Sequence, residues 1–194
     1  MTRGSQIADC TPCADCFAPT HTSYASRSFI WFKRTARLLV AGQTPGMIVH
    51  KSGRRFTDLL EDPLRGWLDL NNAIFYDRNC VTKELTAYYF SGYYGRWSDQ
   101  LPPKICGQTC YNRVIGDFLY VHLRILIGAS GHSYYLGLKI IVIGTVAESD
   151  GHVPDTFVLP HSSWRNIGWL KKNSWSAEDI LPSLRARVKE VLND

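Results

Sequence analysis

The sequence lacks the long apolar segments that membrane-spanning and exported proteins carry. No run approaches the roughly 18 to 20 apolar residues that a membrane span needs. The N-terminus, MTRGSQIADCTPCADC, has no apolar stretch of the kind found in a secretory signal. There is also no internal repeat, no low-complexity tract and no linker between two domains. These absences predict a single-domain, monomeric, cytoplasmic protein with no membrane partner.

Basic residues are only slightly more numerous than acidic ones. The 194 residues contain 22 Lys and Arg against 17 Asp and Glu, with 45% hydrophobic residues, so a disordered chain is excluded. Six tryptophans and ten tyrosines make the chain rich in aromatic residues. Because basic side chains displace counterions from phosphates and rings stack on bases, this composition weakly favours a nucleic-acid partner.

Cysteines are few and unevenly spaced. In a chain with no export signal, we expect them to be reduced or metal-bound rather than paired in disulfides. Cys80 stands alone and is predicted to be structural. The other five form a C-x2-C-x2-C motif and a pair four residues apart: Cys10, Cys13, Cys16, Cys106 and Cys110.

Strands and helices alternate along the sequence. Apolar runs that end in small or polar residues predict strands at 36–42, 123–130 and 156–160. Residues 81–90 are a poorer strand candidate because Lys83 and Glu84 interrupt the apolar pattern.

Helices are predicted in the second half of 50–70, after the LPP turn at 101–103 and through Cys106 to about Tyr120, and at 176–192 with Ser176 as N-cap. The alternation predicts a three-layer α/β/α sandwich with a central, mostly parallel four-stranded sheet in residues 36–194. Residues 1–35 are predicted to form an irregular arm that carries cysteines.

Three polar or glycine-rich segments follow predicted strands. They are GQTPG after the first strand, GASGHS at the end of the next apolar run, and HSSWRN after the last strand. In parallel sheets, ligands bind beyond the carboxyl ends of the strands. The three segments are therefore expected to meet at one edge and form a binding site.

These segments resemble motifs of the uracil-DNA glycosylase superfamily. In its bacterial iron–sulfur-type (family 4-like) members, the first motif commonly reads G-E-A-P-G or G-Q-A-P-G and the second H-P-S-P-R-N. The resemblance covers roughly residues 10–192 and includes HKSGRRF, LRGWL, FYD, LPP, GWLKKNSW and LPSLRARV.

The resemblance implies that His161 and Gln43 are catalytic. Glycosylases flip the target nucleotide into a pocket, and cleavage of the N-glycosidic bond leaves an anionic base. His161 corresponds to the histidine that donates a hydrogen bond to this base as its charge develops. Gln43 lies in the motif that contacts the base and the attacking water.

The same resemblance implies the residues that hold the base and the duplex. Phe56 corresponds to the aromatic residue that stacks on the flipped base. Trp164 corresponds to the residue that inserts into the duplex and fills the gap left by the flipped base. Packing of Trp164 on the closing helix is an alternative. The remaining base-binding residues are Gly42, Thr44, Pro45 and Gly46, and the remaining DNA-binding residues are Ser163, Arg165 and Asn166.

A metal centre is implied with an incomplete ligand set. The iron–sulfur branch uses four cysteines for a [4Fe–4S] cluster, and the place of the third falls on Tyr89. Cys13, Cys16 and Cys106 match the retained positions, and Cys10 or Cys110 would complete the set. Zinc, or buried thiols without metal, are alternatives.

The catalytic motif departs from the family in lacking a carboxylate. Many relatives have Glu or Asp in the first motif, whereas GQTPG has only an amide. His50 and Asp58 are candidate substitutes, although Asp58 suits a helix N-cap equally well. The asparagine with which several branches recognise uracil is also absent from 81–90, and Asn79 is expected on the wrong side.

The leading hypothesis is a DNA repair glycosylase of modest activity. It would hydrolyse the bond to uracil or a related deaminated base, such as hypoxanthine or xanthine, in DNA. One alternative is a catalytically weak nucleic-acid-binding protein of the same fold. Another is a cysteine–metal protein with a structural or redox role.

Overall fold

The structure is a computed structural model. It describes residues 33–46, 49, 61–85, 93–94, 98–101, 104–111, 116, 118–137, 155–162 and 166–193. The predicted N-terminal arm up to residue 32 lies outside the described residues, as do His50, Phe56, Asp58 and Tyr89.

A four-stranded sheet with all strands parallel forms the centre of the fold, and the predicted α/β class is confirmed. The strand order is β2-β1-β5-β6, with short β3 and β4 pairing antiparallel in a separate hairpin. The strands are β1 (Leu38–Gly42), β2 (Val81–Leu85), β3 (Tyr93–Tyr94), β4 (Ser98–Asp99), β5 (Leu123–Ile127) and β6 (Thr156–Leu159).

Helices connect the strands, as parallel pairing requires. They are α1 (Glu61–Leu68), α2 (Asn72–Phe75), α3 (Lys104–Cys106), α4 (Gly128–Leu136), α5 (Ile167–Lys172) and α6 (Leu181–Asn193). Two π-helical turns, Gly107–Tyr111 and Ser176–Ile180, continue α3 and precede α6. Within the described part of the chain, no helix has the length and apolar character to cross a membrane.

Both faces of the sheet are buried. Leu38 and Val40 belong to a core cluster with residues of α1, α2 and α6. Leu39 and Ala41, which point to the opposite face, are 0% and 1% exposed, and α4 packs against β1, β5 and β6. Burial on both faces explains why these strands are continuous apolar runs rather than alternating ones.

The charged residue that interrupts the second strand is buried. Lys83 is 1% exposed, and its Nζ lies 3.6 Å from the centroid of the Phe75 ring and 4.6 Å from that of Tyr76. The negative faces of these rings attract the ammonium group and offset part of its desolvation. Arg65 donates a hydrogen bond of 2.7 Å to the Tyr76 hydroxyl, which orients that ring.

Two predicted helix boundaries are wrong. The second predicted helix does not continue to Tyr120, because the chain turns at Leu119–Tyr120 and His122 then donates a backbone hydrogen bond to Arg37 beside β1. Ser176 is not an N-cap, because Trp175 before it already has helical φ and ψ of −52° and −32°. An N-cap residue needs a non-helical backbone.

We predict that Gly131→Ala destabilises the protein by about 1–3 kcal/mol. A Cβ at Gly131 would lie 2.9 Å from the Ala41 carbonyl oxygen, so α4 would have to move away from β1. Gly66→Ala is the matched control, because a Cβ there meets nothing within 4 Å in another helix. It should stabilise by about 0.5–1 kcal/mol through helix propensity. Urea unfolding measures the free energy of unfolding of both variants. Equal stabilisation by the two substitutions would contradict the close approach of α4 to β1.

Candidate active site at the carboxyl edge of the sheet

The three segments predicted to meet do follow neighbouring strands at one edge. GQTPG follows β1, α4 begins directly after β5, and HSSWRN follows β6 beyond Pro160. The register pairs Leu126 with both Ala41 and Val158, so the three strand ends are level. With β5 between them, the ends of β1 and β6 lie roughly 10 Å apart, about two strand spacings.

His161 is an exposed imidazole that rests on a glycine. A Cβ placed on Gly128 would lie 3.3 Å from His161 Cδ2 and 3.4 Å from His161 Cβ. Gly128 also has a φ of +69°, which L-residues with side chains rarely adopt. Glycine therefore permits both the sharp entry into α4 and the close approach of the histidine ring.

The loop after His161 is closed by a side chain. Asn166 Nδ2 donates a hydrogen bond of 2.6 Å to the backbone carbonyl of His161. This bond fixes the two ends of the loop relative to each other. Asn166 is thus a brace within the loop, and its predicted contact with DNA stays a prediction. Ser163, Trp164 and Arg165 lie outside the described residues.

The GQTPG segment is partly covered by the protein. Pro45 is buried, whereas Gly42, Gln43, Thr44 and Gly46 are partly exposed. Backbone and side-chain groups of this segment are therefore accessible at the carboxyl edge. Their contacts with a base and with water stay predictions.

A second histidine, which the sequence analysis did not single out, lies beneath the site. His132 of α4 is 0% exposed, and its Nε2 lies 2.9 Å from the Leu159 carbonyl oxygen and 3.2 Å from that of Leu126. The only sequence signal for it was its place directly after GASG. A buried imidazole at this point joins the ends of β5 and β6.

Asn79 and Cys80, which were expected away from the site, lie at the opposite edge of the sheet. Asn79 precedes β2, is exposed, and donates its side-chain and backbone N–H groups to Asp77 Oδ1 at 2.8 Å. The bond from the Asn79 backbone, followed by that from its side chain, lowers the pKa of Asp77. Burial, together with the nearby Asp77 charge, raises the pKa of the Cys80 thiol. Cys80 is therefore a poor nucleophile at neutral pH.

Of the predicted metal ligands, only Cys106 has a described side chain. It is 2% exposed, and Tyr134 of α4 lies against the neighbouring Gly107. Burial and the adjacent Cys106 raise the pKa of Tyr134. Among the described residues, no three His, Cys, Asp or Glu side chains are grouped as metal ligands. The [4Fe–4S] cluster, zinc and metal-free alternatives all stay predictions.

The fold is that of a parallel α/β protein, and its candidate site lies beyond the carboxyl ends of the strands, where ligands bind in such sheets. The chain matches the family model of the Uracil DNA glycosylase superfamily over residues 29–185. It belongs to that superfamily, whose members are generally DNA glycosylases and act on DNA. The matched range contains β1, β5, β6 and all three site segments.

We predict that Gly128→Ala displaces the His161 ring in addition to straining the backbone. Gly137→Ala is the matched control, because Gly137 has a similar φ of +67° but nothing within 4 Å of its Cβ position. Each variant should lose about 1–2 kcal/mol from the left-handed backbone. Only Gly128→Ala should shift the His161 ring signals in NMR spectra. Unshifted signals in Gly128→Ala would contradict the contact between the ring and Gly128.

Proposed function

We propose that the protein is a DNA repair glycosylase that hydrolyses the N-glycosidic bond of uracil or a related deaminated base. The observation that carries the proposal is the geometry of His161. Its imidazole is exposed at the carboxyl edge, rests on Gly128 and belongs to a loop braced by Asn166. Such a fixed donor suits a reaction in which charge develops at one known place.

In the proposed reaction, His161 stabilises the leaving base. The bond between the sugar and the base breaks with its electron pair moving onto the base, while water adds its oxygen to the sugar carbon. The water gives up a proton to the solvent, and the released anionic base takes up a proton from the solvent. His161 donates a hydrogen bond to the base as negative charge grows there. The N-terminus of α4 begins at Gly128, next to this ring, and its partial positive charge favours the same anion.

Gln43 is proposed to orient the attacking water. Gln43 follows the last residue of β1, and the register that pairs Ala41 with Leu126 brings its backbone near the start of α4 on the neighbouring strand. An amide can accept and donate hydrogen bonds, but it cannot remove a proton or balance the cationic sugar. The proposed enzyme therefore depends mainly on stabilising the leaving base, and modest turnover is expected.

The duplex is proposed to bind along the loop after β6. Trp164 is assigned the wedge and Arg165 a phosphate contact, on the family resemblance alone. Lys171 and Lys172 add support, because both are exposed at the end of α5, whose six residues span only about 9 Å beyond this loop. No role was predicted for these two lysines from the sequence.

A protein that binds DNA without cleaving the base is the second candidate. It is favoured by the absence of a carboxylate from GQTPG. A site that keeps the groove and the histidine but lacks a group to balance the sugar cation would still bind a flipped base. Measuring binding and cleavage on the same oligonucleotides separates the two candidates.

The test uses single- and double-stranded oligonucleotides that carry uracil, hypoxanthine or xanthine. Wild-type protein should generate abasic sites, which alkali converts to strand breaks. His161→Ala should lower the single-turnover rate by roughly a hundred- to a thousandfold, the cost of removing one donor from a developing anion. His122→Ala is the control, because His122 is exposed at the opposite edge of the sheet.

Two outcomes would contradict this proposal. Unchanged cleavage by His161→Ala would remove His161 from its assigned role. Binding of all three substrates by wild-type protein with no cleavage of any would favour the binding protein instead.

The iron–sulfur subtype is proposed on Cys13, Cys16, Cys106 and Cys110. When bound, a cluster would cross-link the N-terminal arm to the segment that begins at α3. We predict that purified protein is brown and contains iron and sulfide, and that Cys106→Ser loses both. Cys80→Ser should keep both iron and sulfide, because Cys80 lies at the edge of the sheet opposite the candidate site, where its thiol contacts Asp77. Zinc in place of iron, or no metal with full stability, would rule out the cluster.

A further inference from the structure

We propose that His132 is a positioning residue for His161: its imidazole fixes the ends of β5 and β6, and through them the exposed histidine. The proposal rests on the glycosylase function for its kinetic consequence only. Its structural part concerns the ends of β5 and β6 and the His161 ring, and it is based on distances between described atoms.

The first step is the direction of the hydrogen bonds. His132 Nε2 lies within hydrogen-bond distance of two acceptors, the carbonyl oxygens of Leu159 and Leu126, at 2.9 and 3.2 Å. Carbonyl oxygens only accept, so Nε2 must carry the hydrogen and share it between them. A shared donor keeps the two carbonyls, and thus the two strands, at a fixed separation.

The second step is where these carbonyls lie in the chain. Leu159 is the last residue of β6, two residues before His161, and Leu126 is two residues before Gly128. Gly128 is the residue on which the His161 ring rests. His132 therefore holds both the backbone that carries the catalytic imidazole and the backbone that supports it.

The third step is the burial of the imidazole. His132 is fully buried beneath the site, so it does not contact a base or a duplex itself. Gly131 beside it approaches the Ala41 carbonyl of β1, which anchors the same turn of α4 to the strand before GQTPG. One helical turn thus relates all three strand ends to each other.

The proposal predicts that the position of His161 and the cleavage rate depend on a hydrogen-bond donor at position 132. Gln at position 132 can present an amide N–H near the place of Nε2, whereas Leu has similar bulk and no donor. His132→Leu should leave two buried carbonyls without this donor and let the ends of β5 and β6 shift. A displacement near 1 Å at a catalytic group typically costs on the order of a hundredfold in rate.

The experiment compares His132→Leu and His132→Gln with Thr82→Val, a buried polar residue of β2 that is also 0% exposed. We expect His132→Leu to shift the His161 ring signals in NMR spectra and to lower single-turnover cleavage by roughly ten- to a hundredfold. Binding of the substrate duplex should change by less than about threefold, because the residues proposed to contact DNA are unchanged. His132→Gln should restore both the ring signals and the rate, and Thr82→Val should alter neither.

The outcomes separate this proposal from the proposed function. If wild-type protein cleaves nothing, the glycosylase assignment fails, while the ring signals of His161 still decide the role of His132. Unchanged His161 signals in His132→Leu would overturn the positioning role, even if stability falls. If His132→Leu does not fold, two other NMR measurements test the proposal. In the wild type, Nε2 of His132 should carry a hydrogen, and in His132→Gln the His161 signals should match those of the wild type. Failure of either would overturn the proposal.

Discussion

The hydrogen-bonded position of β5 between β1 and β6 is the constraint on which the site depends. No direct pairing joins β1 to β6, so the distance from GQTPG to His161 is set by two parallel ladders that share one strand. Parallel ladders place every carboxyl end at the same edge, and the buried faces of β5 leave little freedom for a shift in register. The site is therefore a consequence of strand order before any catalytic side chain is considered.

The connection after β5 adds a second constraint to the first. The chain turns from strand to helix at Gly128 with no loop between them, which needs the left-handed backbone that glycine allows. Gly131 then lets the helix approach the carbonyl of Ala41 on the neighbouring strand. The two glycines of GASG are thus required by close packing against His161 and against β1. In this chain the conformational and the packing reasons for a glycine-rich motif coincide.

The sequence allowed the strands and the site edge to be predicted because both depend on local patterns. Apolar runs ending in small or polar residues gave β1, β5 and β6 to within a few residues. Lys83 could not be placed, because a charged residue in a strand is ordinarily exposed, and the aromatic rings of α2 and its neighbour that contact its ammonium group lie outside the pattern of β2. The start of the last helix was missed for a similar reason. Ser176 has the chemistry of an N-cap, but the preceding turn was already helical.

The two histidines of the site divide between them what a single residue could not provide. A donor to a leaving base must be exposed, and an exposed side chain ordinarily pays rotational entropy to adopt one geometry. His161 is exposed, yet its loop is braced through its own carbonyl by Asn166 and its ring is supported by Gly128. His132 is buried and holds the strand ends from which both residues emerge. Fixing the backbone from below is how a solvent-facing imidazole can be preorganised without being buried.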